Sequence, residues 1–97
     1  MTTNQKLFVK VLYDILAKEF GINKNINSTK LFSFLRKTET EWLSAWEKLT
    51  FKERDNFFII DSFLKLGWIK FNRESNPFNI IYILLPIDDV DLLTILI

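Results

Sequence analysis

The sequence predicts a mainly helical α+β domain, with about four helices followed by a small C-terminal β-hairpin. Apolar residues recur at helical spacing as far as residue 66. Beyond that point, two apolar and partly β-branched runs flank a polar turn, which is typical of a hairpin. The 97 residues are 48% hydrophobic and include ten Phe and three Trp, enough to build one core in a chain of this length. We therefore expect residues 1–97 to form a single domain.

The first helix is predicted over about residues 5–20. Thr3 or Asn4 can cap its start, and Gly21 stands where a helix commonly ends. Lysines lie opposite its apolar stripe, as expected for a surface helix with one buried face. The stripe consists of Leu7, Phe8, Val11, Leu12, Ile15, Leu16 and Phe20.

A loop and a short helix follow. Residues 22–27 contain three asparagines, which compete with helical hydrogen bonding, so they predict a loop. Ser28 is then expected to cap a helix that runs through Lys37. The inner face of this helix is predicted to consist of Leu31, Phe32, Phe34 and Leu35.

Two Thr-x-x-Glu capping boxes, at residues 38–41 and 50–53, predict the next two helix starts. The first of these helices is expected over about residues 39–49. The second is expected over about 51–66, where Gly67 ends it. About half of the circumference of this fourth helix is apolar, which predicts a central helix that packs against more than one neighbour.

The last third of the chain has strand and turn composition. Residues 68–71 and 78–85 predict the two strands of a hairpin, and residues 72–77 predict its turn. The second strand is apolar on both faces, so we expect both faces to be buried. Three aspartates within 88–91 then precede the apolar run 92–97, and acids in a first turn favour a short C-terminal helix.

The residue types argue against catalysis. The chain has no His and no Cys, which excludes thiol catalysis, thiolate zinc sites and histidine as a base or ligand. It also lacks a Gly-rich phosphate loop and a Ser nucleophile elbow. Asp88, Asp89 and Asp91 could hold a hard cation, but complementing a helix N-terminus is the preferred explanation. We expect a protein that is not an enzyme, with no cofactor and no metal site.

The chain is expected to be cytoplasmic and to make no membrane contact. Its longest apolar run, residues 80–85, is far shorter than the ~20 residues that span a bilayer. Its first residues lack the charged-then-apolar pattern of a signal peptide.

One segment of the chain is similar to a known superfamily. The run Phe63-Leu64-Lys65-Leu66-Gly67-Trp68-Ile69, a polar turn and then Ile81-Tyr82-Ile83-Leu84 resemble the last half of a winged helix domain, over about residues 50–86. In that superfamily a recognition helix ends in a Leu-x-x-x-Gly-hydrophobic-Ile step, and a β-hairpin wing follows. The resemblance implies a winged-helix-like fold and a regulator that binds nucleic acid. The basic residues that would contact nucleic acid are Lys30, Arg36, Lys37, Lys70 and Arg73.

The distribution of charge favours a protein partner over nucleic acid. Residues 1–37 carry seven Lys/Arg against two acids, a net +5, and residues 38–97 carry six against ten, a net −4. However, the start of the would-be recognition helix, residues 52–58, is charge-balanced and aromatic, and Glu74 follows Arg73 at the wing tip. DNA-binding proteins depend on unopposed Lys and Arg. Our first interpretation is therefore a non-enzymatic protein-interaction module, a small regulator that binds or occludes a partner protein. The alternative is a winged-helix-like nucleic-acid-binding regulator.

Phe58 is the strongest candidate for a partner contact. It lies on the polar arc of the predicted fourth helix, among Arg54, Asp61 and Lys65. An aromatic side chain surrounded by charges is typical of a protein-binding hot spot. The alternative is that Phe58 packs beneath the hairpin.

Two other apolar features have alternative explanations. Trp42 and Trp46 lie one helical turn apart and could form a recognition platform, but core packing is favoured because Leu43 and Leu49 share their arc. The run 92–97 is expected to dock on the core, and the alternative is that it closes a homodimer. Together with the doubly apolar second strand, it predicts a homodimer, or a sheet edge that a partner fills.

Overall fold

The computed structural model describes residues 1–55 and 57–87. It confirms a mainly helical α+β fold with a small antiparallel sheet. The C-terminal helix predicted for residues 88–97 lies outside the described residues. In chain order, the elements are α1 (Thr3–Phe20), β1 (Asn25–Asn27), α2 (Ser28–Lys37), α3 (Glu39–Glu47), α4 (Phe51–Arg54), α5 (Ile59–Leu66), β2 (Ile69–Phe71) and β3 (Ile81–Leu84).

The second helix has the predicted extent, the first begins two residues earlier than predicted, and both have different caps from those predicted. The hydroxyl of Thr2 accepts from the Gln5 amide (3.2 Å) at the start of α1, and the Gln5 side chain accepts from the Thr2 amide (2.7 Å). Gly21 ends α1 at a positive φ of 87°, as its position predicts. Asn27 caps α2 because its backbone is still extended, whereas Ser28 is already helical.

Only one of the two predicted capping boxes forms. Thr50 and Glu53 exchange both bonds, at 3.0 and 3.1 Å, at the start of α4. The Thr38 hydroxyl instead donates to the carbonyl of Phe34 (2.9 Å) in the preceding helix. Thr38 is both the C-cap of α2 and the N-cap of α3. Its side chain is hydrogen bonded to α2 and does not cap α3.

The prediction of one continuous helix over 51–66 is wrong, because the chain forms α4 and α5 with a break between them. Asp55 and Phe58 have extended backbones. The break turns Phe57 inward, where its ring lies 5.6 Å from Phe8 and 6.1 Å from Trp46 between centroids. A single straight helix with half of its circumference apolar could not direct all of these side chains to one core.

The predicted hairpin is confirmed, and it belongs to a three-stranded antiparallel sheet with β3 in the centre. The third strand, β1, comes from the segment predicted to be a loop. Ile26 of β1 and Phe71 of β2 both lie opposite Tyr82 of β3. Burial of β3 on both faces is wrong in part, because Tyr82 and Leu84 are buried but Ile81 and Ile83 are only half-buried.

The core is built around α1. Phe8, Leu12 and Leu16 of α1 are fully buried and belong to one cluster with Phe63 and Trp68. The two tryptophans of α3 complete one wall of this cluster, as their spacing predicts. Ring centroids lie 5.9 Å apart for the Phe8–Trp42 pair and 5.3 Å apart for the Phe8–Trp46 pair.

Candidate protein-binding surface

The ring of Phe58 is directed away from the core. The side chain is 62% exposed, whereas Phe63 on the same segment is fully buried. Phe58 immediately precedes α5, and its carbonyl accepts from the amide (3.0 Å) and the hydroxyl (2.9 Å) of Ser62. The backbone of Phe58 is therefore fixed by the first turn of α5, while its ring remains available for contact.

Phe58 forms part of an apolar depression that we call the aromatic groove. Phe32, 42% exposed, supplies the wall from α2, and the floor includes the buried Tyr82 of β3. The groove has a volume of about 440 Å³. Its lining consists of Phe32, Phe57, Phe58, Ile59, Ile60, Asp61 and Tyr82.

The apolar surface continues from the floor of the groove onto the sheet. Phe71 of β2 is 52% exposed, and its ring centroid lies 5.3 Å from that of Tyr82. Burial raises the pKa of Tyr82, and the negative charge of Asp61 raises it further. Asp61 also lines the groove, where it adds a charge to an otherwise apolar surface.

A second and smaller depression, which we call the α1–α5 cleft, lies on the other side of Phe58. Its volume is about 190 Å³. Met1 and Gln5 line it from the start of α1, and Asp61, Ser62 and Lys65 line it from α5. Phe57, Phe58 and Asp61 belong to both depressions. Phe58 therefore lines both the mostly apolar groove and the more polar cleft.

Three of the four predicted contact residues are brought together here, and Arg54 is not. Phe58, Asp61 and Lys65 line the cleft. The guanidinium of Arg54 donates to the carbonyl of Glu47 (3.1 Å) and lies 5.6 Å from the ring of Trp46. The break before α5 separates Arg54 from the other three, and its side chain stabilises the α3–α4 connection.

The five residues predicted to contact nucleic acid are all exposed but are divided among three places. Lys30 lies in the first turn of α2, and Arg36 and Lys37 lie in its last turn, about 9 Å further along the helix axis. Lys70 lies on β2, and Arg73 lies in the turn after it. This arrangement resembles a spread of solvated charges more than one phosphate-binding track.

Sequence reasoning missed Phe32 and Phe71 as surface residues. The sequence predicts Phe32 on the inner face of α2, but only Leu31 and Leu35 of that helix are buried. Leu31 and Leu35 lie one helical turn apart (i, i+4) and form the buried stripe of α2. Their spacing indicates that Phe32 lies at the edge of this stripe. Phe71 points to the inner face of the sheet, as alternation predicts, but that face extends beyond the helices that cover it.

The described residues contain neither a candidate metal cluster nor a helix that could span a membrane. No group of three or more acidic side chains that could hold a metal ion occurs within residues 1–55 and 57–87. None of the helices in that part of the chain has the length and apolar character needed to cross a bilayer.

The chain matches no protein-family model, no curated protein and no solved structure.

Proposed function

We propose that the chain is a non-enzymatic, cytoplasmic protein-interaction module, a small regulator that binds or occludes a partner protein through the aromatic groove. The observation that supports this proposal is the concentration of exposed aromatic rings around Tyr82. Phe32, Phe58 and Phe71 come from a helix, a helix start and a strand, yet they border one surface. Large exposed apolar patches mark interaction sites more often than single exposed residues do.

The energetics of such a surface suit a hot spot. Complete burial of a Phe side chain is worth ~1.5–3 kcal/mol, so covering two or three half-exposed rings can supply much of a binding free energy. Asp61 and Lys65 lie at the edge of the surface. Charges at that position would orient a partner and surround the apolar contact with a polar rim.

A capture experiment from native lysate tests the proposal. The bait would be the chain itself, with and without nuclease treatment of the lysate. We expect a bound protein that resists nuclease and is lost from the double variant Phe32→Asp with Phe58→Asp. The matched control is Phe78→Asp, because Phe78 is 98% exposed at the hairpin tip and lies outside the groove. Equal capture by both variants would refute the groove as the binding site.

Light scattering of the purified chain tests the prediction of a homodimer. A second copy is one partner that the groove could accept. Pairing of two β2 edges is disfavoured, because an antiparallel pair centred on Lys70 would place two lysines opposite each other. We therefore expect any dimer to be weakened by Phe58→Asp.

A winged-helix-like nucleic-acid binder remains the second candidate. The observation in its favour is the hairpin that follows α5 and Gly67, on which Lys70 and Arg73 are both exposed. In this case duplex DNA would bind with an affinity that falls steeply with salt. The double variant Lys70→Gln with Arg73→Gln should reduce the slope of log K against log salt by about 2, whereas Lys18→Gln on α1 should not change it. Absence of salt-dependent binding would eliminate this candidate.

A further inference from the structure

Two further depressions lie where α1 packs against α3. The first, with a volume of about 250 Å³, lies between the start of α1 and the end of α3 and includes Leu7, Ala45 and Lys48. The second, with a volume of about 460 Å³, lies between the end of α1 and the start of α3 and includes Ile15 and Glu41. The two helices are therefore antiparallel. Both depressions lie along their line of contact, which we call the α1–α3 groove.

An apolar stripe of α1 forms one wall of the α1–α3 groove. Leu7, Val11 and Ile15 follow one another at intervals of four residues, so they span about 12 Å along the helix axis. Leu7 is 39% exposed, and Val11 and Ile15 are half-buried. All three lie outside the core cluster that the described residues form. Ala45 lines the groove from α3, and its single methyl group leaves the stripe accessible to another molecule.

The two ends of the α1–α3 groove carry opposite charges on α3. Lys48 lies at one end and Glu41 at the other, which corresponds to about 10 Å along the helix axis. Both side chains are exposed, and within the described part of the chain neither has an ion-pair partner. The other charged residues of the lining offset one another: Lys10, Asp14, Lys18 and Glu19.

We propose that the α1–α3 groove binds an amphipathic helix of a second protein. Apolar residues four positions apart on such a helix recur about every 6 Å, which is the interval between Leu7, Val11 and Ile15. An acidic residue of the bound helix lies opposite Lys48, and a basic residue lies opposite Glu41. A helix that carries charges of only one sign is disfavoured, because one of its ends would meet a like charge.

This surface is separate from the surface around Phe58. The two depressions of the α1–α3 groove share no lining residue with the aromatic groove or with the α1–α5 cleft. A helix bound along α1 and α3 therefore leaves Phe58 accessible, and the chain can hold two proteins at once. The inference goes beyond the proposed function and does not depend on it.

Charge reversal tests the inference with a synthetic probe. The probe is a fluorescein-labelled helical peptide with leucines along one face, a Glu at one end of that face and a Lys at the other. Fluorescence anisotropy measures its dissociation constant. We expect Lys48→Glu and Glu41→Lys each to weaken binding about fivefold, because each places like charges opposite each other. The double variant should restore the affinity, because the peptide can then bind in the reverse direction.

A change in the apolar stripe supplies the second measurement. Leu7→Asp should weaken binding of the same peptide by about tenfold or more, because it places a charge where the leucines pack. The matched control is Phe78→Asp, which changes an exposed ring at the hairpin tip, outside the α1–α3 groove.

Three results would overturn the inference. One is equal affinity of the wild type and the charge variants, and another is a double variant that binds no better than either single variant. The third is self-association of the chain that Leu7→Asp abolishes, which would identify a second copy as the occupant. The peptide assay needs no captured partner, so a failure of this inference can be told from a failure of the proposed function.

Discussion

Single residues show where sequence reasoning succeeds and where it stops. The pattern identified Phe58 as an aromatic residue on a polar arc, and the structure places its ring outside the core. The same pattern grouped Arg54 with it, because a continuous helix would put both on one face. Arg54 is instead hydrogen bonded to the carbonyl of Glu47 and lies over the ring of Trp46. These contacts connect α4 with α3, so the periodicity of one helix cannot predict them.

Glu53 gives a prediction at this scale. Its carboxylate accepts from the Thr2 hydroxyl and from the Thr50 amide (3.0 Å), so it links the starts of α1 and α4. The hydrogen bond from Thr2, and then that from Thr50, lower the pKa of Glu53. Because the folded pKa is lower than the unfolded pKa, the stabilisation is present above the unfolded value and is lost as pH falls through the folded value.

We therefore expect Glu53→Gln to lower the melting temperature at pH 7, and the difference from the wild type to shrink in acid below the folded pKa. Thermal unfolding followed by circular dichroism at both pH values measures this difference. Glu47→Gln is the matched control, because the side chain of Glu47 is exposed at the end of α3. Equal melting temperatures for the two variants at pH 7 would show that the bonds of Glu53 contribute nothing.

At the scale of elements, sequence patterns predicted α1, α2, α3 and both hairpin strands, but they merged α4 and α5 into one helix and missed β1. β1 is only three residues long, and its two asparagines have loop composition. It is a strand because Ile26 is buried opposite Tyr82, a partner 56 positions away. The break has a similar origin, since Phe57 gains contacts with Phe8 and Trp46 that local propensity cannot include.

Phe57→Ala tests whether this aromatic cluster determines the break. Since Phe57 is half-buried, we expect the variant to lose ~2 kcal/mol of unfolding free energy, below the ~3–5 kcal/mol of a fully buried Phe. Urea unfolding measures this loss. Phe51→Ala is the matched control, because Phe51 is 89% exposed in α4 and should change stability little. Similar losses in the two variants would mean that the cluster is not what fixes Phe57.

At the scale of the whole molecule, the core formed by residues 1–55 and 57–87 leaves several large apolar side chains exposed. The domain is 35 × 28 × 23 Å along its principal axes, and α1 occupies its centre. In the described part of the chain the sheet has three strands, and Phe71 of the edge strand β2 is 52% exposed beside Tyr82 of the aromatic groove. A sequence cannot show which side chains of a sheet stay exposed, because this depends on how the elements pack together.

The central claim is that Phe58 is a contact residue of the aromatic groove and not a core residue. The most direct measurement combines the dissociation constant for the captured partner with the unfolding free energy of Phe58→Ala. We predict that binding weakens by ~2 kcal/mol or more, about 30-fold, with little loss of stability. Phe63→Ala, in contrast, should lose ~3–5 kcal/mol of stability because Phe63 is fully buried. Unchanged affinity, or a loss of stability in Phe58→Ala as large as that in Phe63→Ala, would contradict the account.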